Sequence, residues 1–326
     1  MGDEPLSIFV VFRNQFKKSY TMKQKLLIVL ILILSNVALA QTEPATVKSD
    51  TAWKKGSKLT LSFSQVSFSN WAAGGENSSG GNGFFNLFAK YKEGNRMWDN
   101  NLDLAYGLLK LEGQALRKSE DKIDFYSKYG LTIAKNLYFS TNFNFNTQFS
   151  EGYKYPDDST LVSKFLAPGY IQLGVGIDYK PNDYLSLSFL PLTGRLTLVT
   201  YQPLADAGAF GVDPAVIDTN GVVLEEGKNS RFELGTAAIA LFQKELMKNV
   251  ELKSKLQLFS NYLEHPENID VNWDSMLSLK VNKYISTFIG ITLLYDDDIT
   301  LLDKNGDSGP RTQLKQTFGV GLALEF

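Results

Sequence analysis

Between Leu137 and Phe149 the chain switches between two kinds of residue at every step. Leu137, Phe139, Thr141, Phe143, Phe145, Thr147 and Phe149 fall on one set of positions, and Tyr138, Ser140, Asn142, Asn144, Asn146 and Gln148 on the other. An α-helix would scatter both sets around its circumference, whereas a β-strand sends them to opposite faces. The segment is therefore a strand with a polar face toward water and an apolar face toward lipid or a core. Ile171, Leu173, Val175, Ile177 and Tyr179 repeat the pattern against Gln172, Gly174, Gly176 and Asp178. So do Val250, Leu252, Leu256 and Leu258 against Glu251, Lys253, Lys255 and Gln257, and Trp273, Leu277, Leu279 and Val281 against Asp274, Met276, Ser278 and Lys280.

The pattern predicts twelve strand cores: Lys58–Ser69, Gly83–Glu93, Trp98–Leu111, Lys122–Ile133, Leu137–Phe149, Gly169–Tyr179, Tyr184–Thr200, Arg231–Lys244, Val250–Leu263, Val271–Val281, Ile285–Tyr295 and Leu314–Phe326. They match the ~9–11 residues of a tilted membrane strand better than the ~5–6 of a globular one. Short turns at Gly94-Asn95-Arg96, Ala134-Lys135-Asn136, Pro181-Asn182-Asp183, Met247-Lys248-Asn249 and Asn282-Lys283-Tyr284 alternate with mostly longer connections. Each short turn holds an Asn, which tolerates tight-turn torsions. A membrane barrel has short turns at one rim, longer loops at the other and an even strand count. The expected fold is thus all-β, a transmembrane antiparallel barrel of about twelve strands.

The first residues read as an export segment. Lys23 and Lys25 precede an apolar run, Leu26 to Leu34, and Ala38-Leu39-Ala40 supplies a small-x-small cleavage site. The predicted organisation is an upstream stretch before the true start (1–21), a signal peptide (22–40), a periplasmic tether (41–57) and a barrel (58–326). Phe318, Val320, Leu322, Leu324 and Phe326 give the last strand an apolar face ending on an aromatic residue. Such an ending resembles the signal that outer-membrane assembly machinery reads.

Composition narrows the chemistry. The formal net charge of −2 offers no basic footprint for nucleic acid. Cysteine is absent and histidine occurs once, which removes disulfides, thiolate sites and multi-histidine metal sites.

Three local motifs carry a family resemblance: Asn70-Trp71-Ala72-Ala73-Gly74-Gly75-Glu76-Asn77-Ser78, then Tyr295-Asp296-Asp297-Asp298, then Gly309-Pro310-Arg311-Thr312-Gln313-Leu314-Lys315 leading into Phe318-Gly319-Val320-Gly321-Leu322. They resemble an uncharacterised outer-membrane barrel family of Bacteroidetes, a domain-of-unknown-function family. The resemblance implies a barrel in the cell outer membrane and brings no catalytic residues.

Candidate sites are few. Trp71, Gly74, Gly75 and Glu76 form a loop motif after the first strand, a lumen plug or a turn with its Trp in the interfacial belt. Asp303, Asn305 and Asp307 space oxygen ligands as a calcium loop begins, but Ser308 stands at the glycine position and Leu314 at the glutamate position. No other cofactor is implied. His265, with Ser260, Asn261 and Asn268 nearby, is a weak catalytic candidate, so the chain is expected not to be an enzyme. Lys90, Asp103, Asp124, Glu251, Lys253 and Lys255 are expected to line the lumen, with Lys92, Lys128, Asp178, Glu233, Asp274 and Lys280 on the same faces. Mixed signs suit ion pairs in a narrow barrel. Expected partners are membrane lipid, the assembly machinery and other envelope proteins. The functional expectations are a narrow channel or solute-binding barrel, a structural or assembly subunit, or, last, a lipid hydrolase.

Overall fold

A computed structural model of the chain describes residues 52–66, 77–282, 285–302 and 307–325. Contacts divide the chain into Met1–Asp50 and Thr51–Phe326. The first unit, with the predicted signal peptide, lies outside the described residues. The second is a closed barrel of twelve antiparallel strands.

The strands are β1 Trp53–Val66, β2 Ser78–Glu93, β3 Arg96–Leu111, β4 Leu116–Ala134, β5 Leu137–Thr147, β6 Gly169–Asn182, β7 Leu185–Leu198, β8 Ser230–Met247, β9 Val250–Asn261, β10 Asp270–Lys280, β11 Ile285–Tyr295 and β12 Gln313–Glu325. Neighbours in sequence are neighbours in the ring, and β12 closes on β1. Asn136 (φ 63°) and Asn249 (φ 67°) take left-handed torsions in two of the short turns, which Asn bears better than most residues. Among the described residues no helix is long and apolar enough to cross a membrane.

The wall is inside-out relative to a soluble domain. Ser140, Asn142 and Asn144 of β5 are buried, while Phe139 on the alternate face is exposed. Lys128, Asp178 and Glu233 are each at most 1% exposed, yet Phe63 and Phe318 are 70% exposed. Phe139, Leu256 and Leu322 lie on the exposed outer face, and Phe143, Phe145, Leu258 and Leu279 are half-buried on it. Packing side chains around charged groups while showing leucine and phenylalanine outward makes sense only where the surroundings are apolar.

Some boundaries differ from the sequence reading. β1 begins at Trp53, inside the expected tether, because its ring packs on Tyr91 (5.1 Å between centroids) and Trp98 (5.8 Å) at the short-turn rim. β4 begins at Leu116, since Lys110 pairs with Leu116 and lengthens that hairpin. The connection after β7 is folded: a short helix α1 (Gln202–Asp206) and a ribbon of Val216–Ile217 with Val223–Glu225. Ala167, Val199, Ala205 and Val212 form a small core beneath them.

Candidate functional site: the lumen and its long-loop mouth

Inward positions of β3, β4, β9 and β10 place charges of both signs at the middle of the lumen. Lys122 lies 3.3 Å from Asp274 and 3.5 Å from Asp124. Lys255 reaches Asp124 at 3.7 Å and donates to Asn144 at 3.0 Å. Lys253 meets Asp103 at 3.5 Å, while Asn86 and Asn101 donate to the two oxygens of Asp103. Thr292 donates to Asp274 at 2.7 Å. Of the other expected lining residues, Lys90 is exposed with its ammonium 5.8 Å from the Phe88 ring. Glu251 accepts from Gln243 at 2.8 Å.

Two of these pairs set the shape of the wall. β3 and β9, joined by Asp103–Lys253, stand half the ring apart, as do β4 and β10, joined by Lys122–Asp274. Twelve strands at ~4.8 Å spacing and ~40° tilt would make a circle about 24 Å across. A lysine and an aspartate in contact span at most roughly 13 Å from Cα to Cα. The cross-section is therefore an oval, with its narrow waist spanned by side chains.

Toward the short-turn rim the lumen is packed. Lys128 donates to Asp178 (2.8 Å) and Ser186 (2.7 Å), and Ser186 and Ser188 both donate to the same Asp178 oxygen. Lys180 pairs with Asp99 at 2.6 Å. Leu190, Ala237, Ile239 and Phe259 fill the next layer above.

The mouth on the long-loop side contains residues that the sequence reading did not select. Proline cannot donate to a ladder, and β7 accommodates Pro191 with a bulge: Pro191 and Leu192 oppose the single residue Thr236. Gly176 sits against the bulge, where a Cβ would lie 2.1 Å from the Phe189 carbonyl oxygen. The bulge reverses the parity of β7, so Ser186 and Ser188 below it and Arg195 above it all point inward. Arg195 makes a two-pronged contact with Glu233 (2.6 and 2.5 Å), meets Asp270 at 2.6 Å and lies over the Phe259 ring at 4.3 Å. Arg231 on β8 meets Asp298 at 2.5 Å and donates to the Gly211 carbonyl. Two long loops thus converge on one arginine, and the Asp296-Asp297-Asp298 motif is anchored to the wall.

Asp270, Asp296 and Asp297 bring carboxylate oxygens within 4.8 Å of one another. Arg195 engages two of the three, Asp296 at 3.8 Å, and Asn268 donates to Asp297 at 2.5 Å. Burial pushes the Asp296 carboxyl above its ordinary value, against the pull of Arg195 and of the Asp298 backbone N–H that donates to it, while the negative charges of Asp298 and Glu233 add to the rise. The folded mouth therefore holds this proton to higher pH than the unfolded chain does. Its stabilisation is complete below the ordinary carboxylate pKa and is lost as pH rises through the raised value. Asp296→Asn, which mimics the protonated form, should flatten this fall. Thermal melts of both proteins across that range check it, and parallel pH dependences would contradict it.

The remaining candidates that fall among the described residues do not assemble into a site. Asp303 and Asn305 lie outside the described residues, as do Trp71, Gly74, Gly75 and Glu76. Asp307 is exposed and its carbonyl accepts from Arg311. Ser260 donates to the Pro266 carbonyl, His265 lies 3.5 Å from Glu267, and Asn268 is held by Asp297. Each takes a different partner.

A closed, apolar-faced barrel with a charged interior is an outer-membrane-type β-barrel. A family described as "Protein of unknown function (DUF3078)" matches residues 63–153 of the chain. No curated protein sequence matches it. Similar solved structures include the translocator domain of the autotransporter NalP from Neisseria meningitidis (12% identity, 94% of this chain and 98% of that one, TM-score 0.35). An outer-membrane channel from Pseudomonas putida F1 is also similar (10% identity, 88% and 100%, TM-score 0.36). A third is OmpT of Vibrio cholerae (8% identity, 86% and 100%, TM-score 0.27).

Proposed function

We propose that this chain is an outer-membrane barrel of Bacteroidetes type, exported by residues 22–40 and inserted by the outer-membrane assembly machinery. We read its lumen as a narrow passage or binding chamber for small polar solutes, with no catalytic step. The observation that carries this is the pair of ion pairs across the waist, Lys253–Asp103 and Lys122–Asp274. Charges of both signs favour no single ionic class, so size and hydrogen bonding would select the solute. A second reading, a structural or assembly subunit among other envelope proteins, is favoured by the packed layer around Lys128, Asp178 and Leu190.

Liposome swelling with sugars of increasing size tests the two. The wild-type protein should admit only the smallest solutes, and Lys122→Ala combined with Lys253→Ala should raise the size limit. Silence from both proteins would favour the structural role, and free entry of large sugars into wild-type vesicles would contradict the narrow passage.

A further inference from the structure

The ring closes between β1 and β12, and at this seam a stretch of described strand residues on each side goes unpaired. β1 pairs with β2 along its whole length, and β12 pairs with β11 from Gln313 to Leu322. Between β1 and β12 the register among the described residues runs from Lys58 opposite Glu325 to Ser62 opposite Gly321. Among the described residues, Phe63–Val66 and Thr317–Val320 are strand residues at this seam that do not pair across it. Phe63 and Phe318, the two most exposed large apolar side chains among the described residues, flank it. Unpaired backbone inside hydrocarbon is costly, which is why membrane barrels close. A closure left incomplete over these residues is a weak point in the wall.

Both sides of the seam are apolar. On the lumen side Phe84 of β2 and Phe288 of β11 meet edge-on at 5.0 Å, bridging over β1 and β12. The Phe288 ring occupies the place where a side chain at Gly319 would project. On the outer side a groove of about 400 Å³ is lined by Leu59, Leu61, Ile285, Leu322 and Leu324, with Asn282. The polar lumen begins one inward position beyond Phe84, at Asn86.

We infer that the β1–β12 seam is a lateral passage between lumen and membrane, and that its ligand is the acyl chain of a membrane phospholipid. The groove lies over the paired stretch, Leu59 opposite Leu324 and Leu61 opposite Leu322. The acyl chain runs along it to Phe63 and Phe318, where the described strands part, and turns inward at Phe288 over Gly319 toward Phe84. An added polypeptide strand would pair with the backbone left unpaired among the described residues, but it would leave the aromatic pair and the outer groove without a role. The inference rests on the barrel lying in a bilayer, not on the lumen conducting solutes.

The test uses the full chain in vesicles of phosphatidylethanolamine and phosphatidylglycerol, with the photoreactive p-benzoylphenylalanine replacing Phe84 or, as a second probe, Phe288. Outward Phe139 serves as the membrane control and lumenal Asn144 as the interior control. Irradiation should give a phospholipid adduct, read by mass, at Phe84, Phe288 and Phe139 but not at Asn144. Bridging the seam through Phe63→Cys and Val320→Cys with a short bismaleimide should abolish the Phe84 and Phe288 adducts and leave that at Phe139. Labelling at Phe139 alone, adducts that ignore the bridge, or adducts to a second polypeptide would overturn the passage. Loss of labelling at Phe139 would instead overturn the membrane reading beneath it.

Discussion

Asp178→Ala should destabilise the barrel by about 3–5 kcal/mol, the usual cost of leaving one member of a buried ion pair alone. Lys128 and Asp178 are 1% and 0% exposed and 2.8 Å apart, so the stranded ammonium would have no route to water without disturbing the wall. The loss would extend to Ser186 and Ser188, both of which donate to Asp178. Lys128→Met combined with Asp178→Leu removes both charges and should recover most of the loss, because desolvation of the pair is then no longer required. Urea unfolding in vesicles measures both. A change below about 1 kcal/mol for Asp178→Ala would mean that this layer is wet and the lumen open at the short-turn end.

Phe143→Lys should cost about 2–4 kcal/mol, the penalty for a lysine on the lipid face near the midplane. Phe143 is near the middle of β5, pairs with Ser127 and Leu173 on the adjoining strands, and packs 6.1 Å from the Phe125 ring on the outer surface. Phe143→Leu, which keeps the apolar face, should be tolerated. The same unfolding assay distinguishes them. Equal stability of the lysine and leucine variants would place this face in water and contradict the membrane orientation of the wall.

Alternation, turn residues and loop lengths were enough to read the twelve-strand barrel from the sequence, because each is local. The period-two pattern of Leu137–Phe149 maps directly onto buried Asn142 and Asn144 and outward Phe139. What could not be read depends on events that local pattern does not encode. Arg195 escaped notice because an unbroken strand from Ser186 would have sent it toward lipid. Pro191 was the available signal, since a proline inside a long strand calls for a bulge, and a bulge reverses the faces beyond it. The waist pairs join residues about 150 positions apart, such as Asp103 with Lys253, and nothing local says which acid meets which base. The Asp296-Asp297-Asp298 motif was visible as a pattern, but its anchors, Arg195, Arg231 and Asn268, come from three other stretches of chain. The unpaired stretch of described residues at the β1–β12 seam is likewise a property of register and not of composition.

Single-channel recording in planar bilayers tests the central claim, that side chains crossing an oval lumen close it to bulk flow. The wild-type protein should show small or no conductance, and Lys122→Ala with Lys253→Ala should produce a clear, stable increase. Large steady conductance in the wild-type protein, unchanged by removing these lysines, would contradict the account.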